Sequence, residues 1–111
     1  MRNEISKKSL SDYKEYEWFG EIITLFCDTT RKELGKMDDA LKKDDFNLIT
    51  NIAHKIKPNY YAVGLYELYR RADWIEENIN KDLNKFQNVE KFISISLDAI
   101  DELNYNRLIL T

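Results

Sequence analysis

The chain has 111 residues, 43% of them hydrophobic and 33% charged; this builds one globular domain with one continuous core and excludes an intrinsically disordered chain. Its 17 basic and 20 acidic residues are interspersed and sum to a net charge of −3, which leaves no basic footprint for nucleic acid. Three glycines and one proline are too few for the frequent turns of a β-sandwich, and the single cysteine, Cys27, excludes an internal disulfide and fits a reducing compartment.

In chain order, residues 1–15 are polar and are expected to form an N-terminal extension or a short lid helix. Met1 is followed by charge but by no apolar run, so the start does not read as a secretory signal. The longest apolar stretch, residues 22–27, is far too short to cross a bilayer. The expectation is a soluble cytoplasmic protein without membrane insertion. The first long helix is expected over residues 16–43. Phe19, Ile22, Ile23, Phe26, Thr30, Leu34, Met37 and Leu41 recur there at steps of three and four, as one buried stripe. Trp18 and Phe19 at its head are assigned to packing, and Cys27 beside Phe26 to a buried, inert thiol.

Asp44 or Asp45 offers an N-cap oxygen to the second helix. Phe46, Ile49, Ile52, Ala53, Ile56, Tyr60 and Val63 line its inner side, and Gly64 is its stop. A third helix places Leu65, Leu68, Ala72, Ile75 and Ile79 inward, with Arg70, Arg71, Glu76 and Glu77 outward. Trp74 is expected half-buried against the last helix. Residues 80–88, rich in Asn, Lys and Asp, read as a loop. The last helix, over residues 89–107, carries Phe92, Ile93, Ser96, Leu97, Ile100 and Leu103 on one stripe. Short links between amphipathic helices make neighbours antiparallel, so the expected fold is all-α: an up-down-up-down four-helix bundle over residues 16–108.

The second helix also carries His54, the single histidine of the chain. With His54 at 0° and about 100° per residue, Ile49, Ile52, Ile56, Tyr60 and Val63 fall at roughly 160–240°. The ring therefore points away from the core. Asn47, Thr50, Asn51, Lys57, Pro58 and Tyr61 share its face. A lone solvent-facing histidine is ordinarily a surface residue and nothing more. Its company is less ordinary: Lys57 lies one turn on, placed to hold an anion carried by the imidazole. Pro58 stands inside a helix that continues past it, where it removes a hydrogen bond from the carbonyl of His54 at a typical cost of about 3 kcal/mol.

The string Ala53-His54-Lys55-Ile56-Lys57-Pro58, followed by Gly64-Leu65, resembles the histidine-containing phosphotransfer (Hpt) domain of bacterial phosphorelays. That family pattern has a histidine, two residues, a lysine, usually a glycine, and a second glycine ten residues after the histidine. The apolar–glutamate pair late in the family's next helix corresponds to Ile75-Glu76. The resemblance covers about residues 16–105. It departs at Pro58, where most members have glycine, and at the bulky Tyr60 and Tyr61, where small residues are common; both bear on how a partner approaches.

The resemblance implies a phosphoryl carrier without kinase activity of its own. His54 would accept the group from the aspartyl phosphate of a response-regulator receiver domain and pass it to another receiver, with a hybrid sensor histidine kinase upstream. Lys57 would steady the phosphoryl oxygens. Asn47, Thr50, Asn51, Pro58 and Tyr61 would meet the partner. No cofactor is expected on this chain, since in the family the receiver supplies the Mg²⁺, and a monomer is expected. The residues themselves show no carboxylate cluster on the His54 face and no glycine-rich nucleotide loop. Lys55 reads as solvating the flank and Arg70-Arg71 as a solvated face. Of Tyr60, Tyr61, Tyr66 and Tyr69, most read as packing. The starting methionine and short C-terminal tail favour a free-standing carrier. The alternative, motivated by Pro58 and the tyrosines, is a helical interaction module that binds a receiver or kinase without carrying phosphate.

Overall fold

The computed structural model describes the backbone of residues 19–110 and the side chains of residues 20–105. The N-terminal extension expected over residues 1–15, the first residues of the expected first helix and the side chains of Trp18 and Phe19 lie outside the described residues. Within them are four helices and no strand: α1 (Phe19–Lys42), α2 (Phe46–Ala62), α3 (Tyr66–Asn78) and α4 (Lys85–Leu110), with a 3-10 turn at Ile79–Lys81. Successive helices are neighbours and α4 closes against α1, the arrangement of an up-down-up-down bundle. Among the described residues no helix is long and apolar enough to cross a membrane.

The ends of α2 are set by two local devices. Asp44 takes the left-handed backbone, with φ 55, and lets the chain reverse after α1. Asp45 then caps α2: its Oδ1 accepts from the Leu48 N–H at 3.1 Å, a contact worth about 1 kcal/mol. At the far end Gly64 sits at φ 82, where a side chain would strain the backbone. The Leu65 N–H donates to the Tyr60 carbonyl at 2.9 Å and the Gly64 N–H to that of Tyr61 at 3.1 Å, closing the helix with the paired bonds of a Schellman turn. So short a turn can only lay α3 back along α2. That pair positions the site.

The core is one cluster, to which all four helices contribute. The Tyr60 ring of α2 lies edge-on between Phe26 of α1 and Phe92 of α4, with centroids 5.9 and 6.1 Å away, a geometry favourable to aromatic pairs. Burial pushes the Tyr60 phenol above its ordinary range, against a weaker opposing effect of the Ser96 hydroxyl, so Tyr60 is a packing group here and no acid. Cys27 is buried, as expected, and Trp74 is 42% exposed.

Three expectations need correction. Ile22 and Leu97, placed on the buried stripes, are 43% and 37% exposed, because they lie at the margins of those stripes and the residues at the centre close the interface without them. The loop expected at residues 80–88 is shorter: the 3-10 turn extends α3, and α4 starts at Lys85, its first turn closed by the Asn88 N–H on the Asn84 carbonyl at 3.0 Å. Its first turn, Lys85-Phe86-Gln87-Asn88, holds a single apolar residue and so shows no apolar period, and its helicity was hidden. Arg71 and Glu76, placed outward, are only 30% and 23% exposed along their side chains.

Candidate functional site

The face that α2 and α3 share is built as three cross-helix rungs, with residue numbers rising along α2 and falling along α3. His54 stands opposite Glu76, Lys57 opposite Asp73, and Tyr61 opposite Tyr69. The inner stripe of α2, with Ile52, Ala53, Ile56 and Tyr60 buried, turns His54 outward, and its side chain is 69% exposed.

On the first rung His54 Nδ1 lies 2.6 Å from Glu76 Oε2. An ionised carboxylate can only accept, so Nδ1 carries a proton and donates it, and in the neutral ring it is then Nε2 that keeps the lone pair. On the second rung Lys57 Nζ lies 2.8 Å from Asp73 Oδ1 and 2.6 Å from Glu76 Oε1. Glu76 thus touches the imidazole with one oxygen and the ammonium with the other. Its carboxyl is held below the ordinary range mainly by Lys57 and less by His54, against a burial effect that would raise it. The two carboxylates, Asp73 first and then Glu76, hold the Lys57 ammonium above its ordinary range. Glu76 and Lys57 are therefore both charged at neutral pH. On the third rung the exposed Tyr61 ring packs against Tyr69 and Tyr66, with centroids 5.3 and 5.2 Å away.

Of the other residues assigned to this face, Asn47, Asn51 and Pro58 are exposed. The Thr50 hydroxyl is engaged, donating to the Asn47 carbonyl at 2.8 Å. Pro58 does not interrupt α2, which runs on to Ala62. Lys55 does more than solvate a flank: its Nζ reaches Glu33 Oε1 on α1 at 2.8 Å, and Glu33 is buried. That contact lowers the Glu33 carboxyl, with Lys36 adding to the effect and burial opposing it.

Two expectations about the face are overturned. Carboxylates do stand on it, Glu76 and Asp73, and Lys57 is no free solvent-facing lysine but 20% exposed and doubly paired. The cause is the same for both. A helical wheel of α2 shows what α2 presents, and these carboxylates come from α3. The Ile75-Glu76 match was the one signal in the sequence that pointed to Glu76; Asp73 had none.

Chemically the arrangement offers a nucleophilic nitrogen whose partner nitrogen is fixed by a carboxylate, with a cation one group away. Among the described residues no cluster of three metal-ligating side chains adjoins it. The family model of the Hpt domain matches residues 21–104, a span that holds all three rungs. No curated protein and no solved structure matches the chain.

Proposed function

The chain belongs to the Hpt domain family, the histidine phosphotransfer modules of two-component signalling, and from that membership we propose that His54 is the residue that carries the phosphoryl group. Domains of this family are carriers rather than kinases, and they work with receiver domains and histidine kinases. The observation that carries the assignment is the 2.6 Å contact of His54 Nδ1 with Glu76 on an otherwise exposed ring.

The transfer follows from that contact. Nε2 attacks the phosphorus of a receiver's aspartyl phosphate, the bond from phosphorus to the carboxyl oxygen breaks, and the aspartate leaves as carboxylate. The ring, with Nδ1–H retained, becomes cationic, and the Glu76 carboxylate beside it stabilises that charge. In onward transfer a second receiver's aspartate attacks phosphorus and the N–P electron pair returns to Nε2. No proton moves in either step. Lys57 steadies the phosphoryl oxygens as a point charge with rotatable donors. The metal belongs to the receiver, which docks over Asn47, Thr50, Asn51, Pro58 and Tyr61. The carrier acts in the cytoplasm as a monomer.

Mixing the protein with a receiver domain phosphorylated with labelled phosphate tests the assignment. The expected result is an acid-labile, base-stable label on the wild type and none on His54→Gln. An unlabelled wild type, or undiminished label on His54→Gln, would sink it. Receiver binding that survives His54→Ala, with no phosphohistidine on the wild type, would identify an interaction module instead.

A further inference from the structure

The second rung has a consequence for the energy of the phosphorylated state. Two carboxylates, Asp73 and Glu76, share the Lys57 ammonium, at 2.8 and 2.6 Å, so the cluster is already one charge short of cations. A phosphoryl group on Nε2 brings up to two further negative charges and needs the same ammonium. Glu76 cannot give way cheaply, because its other oxygen holds the imidazole. Asp73 can: among the described residues its ion pair is with Lys57 alone, and its side chain is 47% exposed, so water can solvate it once released.

We propose that Asp73 competes with the phosphoryl group for the Lys57 ammonium, keeping the phosphohistidine high enough in energy to be passed on. In the resting protein Lys57 is paired with Asp73. On phosphorylation the ammonium turns to the phosphoryl oxygens, and the lost Asp73 pair plus the repulsion of its carboxylate are charged against the modified state. Asp73 is a positioning residue acting through Lys57. This inference rests on the carrier reading above.

The test uses phosphoramidate, which phosphorylates imidazole with ammonia leaving on the electron pair of its broken N–P bond. At fixed phosphoramidate and ammonia, ³¹P NMR reads the ratio of phosphohistidine to unmodified protein at equilibrium. Asp73→Asn should raise that ratio by roughly two- to fivefold, the scale of a half-exposed ion pair. Glu77→Gln, which removes one exposed charge from the same helix without freeing Lys57, should move it by less than half as much. In a Lys57→Gln background the gain from Asp73→Asn should largely vanish, whereas a purely structural tie would lower the melting temperature and leave the ratio unmoved. A ratio unchanged in Asp73→Asn, or a gain of equal size without Lys57, would overturn the inference alone. Absence of phosphohistidine from the wild type and from every variant would overturn the carrier reading, and this inference with it.

Discussion

A neutral imidazole has two tautomers, and only one of them offers Nε2 as a nucleophile. In this bundle the choice is made by Glu76, 2.6 Å from Nδ1. Glu76→Gln keeps an oxygen that can accept from Nδ1–H but loses the charge that stabilises the cationic ring. Charge-assisted bonds are about twice as strong as neutral ones, a difference of about 1 kcal/mol, so transfer from a phosphorylated receiver should slow about fivefold. Glu76→Ala removes the acceptor too and should slow it by tenfold or more, on the order of 1.4 kcal/mol. Initial rates of label transfer measure both. Equal rates for Glu76→Ala and wild type would remove Glu76 from the mechanism. The outward direction of His54 was legible because the period of its own helix defines it. The tautomer was not, because the residue that sets it lies 22 positions away on another helix.

At the scale of the element, α2 tolerates a proline in its interior because its ends and its inner face are secured elsewhere. Asp45 caps its start, the turn at Gly64 closes its end, and Phe46, Ile49, Ile52, Ala53, Ile56 and Tyr60 are buried along it. Pro58 itself is exposed. Pro58→Ala returns an N–H to the carbonyl of His54 and removes the ring's clash with it, worth about 3 kcal/mol in a typical helix interior. The unfolded chain regains freedom worth up to about 1 kcal/mol. The variant should therefore be more stable by about 1–2 kcal/mol, read from the urea midpoint at unchanged slope. A midpoint that stays or falls would show that α2 has adapted to the proline. The sequence placed the proline within the helix; that the helix continues past it depends on burial that α1, α3 and α4 supply together.

Across the whole molecule, ion pairs tie helix to helix around the bundle. Arg31 of α1 meets Asp101 of α4, Lys55 of α2 meets Glu33 of α1, and Lys57 of α2 meets Asp73 and Glu76 of α3. Glu33 and Glu76 both titrate below the ordinary carboxylate value of 4.5. Between 4.5 and those lowered values the unfolded chain binds more protons than the folded one, so stability falls as pH drops through that window and the contribution is gone below it. Urea midpoints should begin to fall below about pH 4.5 on this account. Glu33→Gln, which removes a part-buried charge-assisted contact, should cost about 1 kcal/mol at pH 7 and flatten the acid fall. An acid slope unchanged in that variant would place the linkage elsewhere.

The sequence alone determined the four helices, their antiparallel order and the outward direction of His54 and Tyr61, since each is a property of periodicity and turn chemistry within one segment. It also carried the likeness to the Hpt domain in the spacing of His54, Lys57 and Gly64. Only the tertiary structure decided what surrounds the histidine. The register of α3 against α2 brings Glu76 to Nδ1 and Asp73 to Lys57, and it turns a lysine read as lying on the solvent face into one held by two carboxylates. Register between helices is set by side chains interlocking across the core, a sum over contacts from several segments that no single stretch of sequence contains.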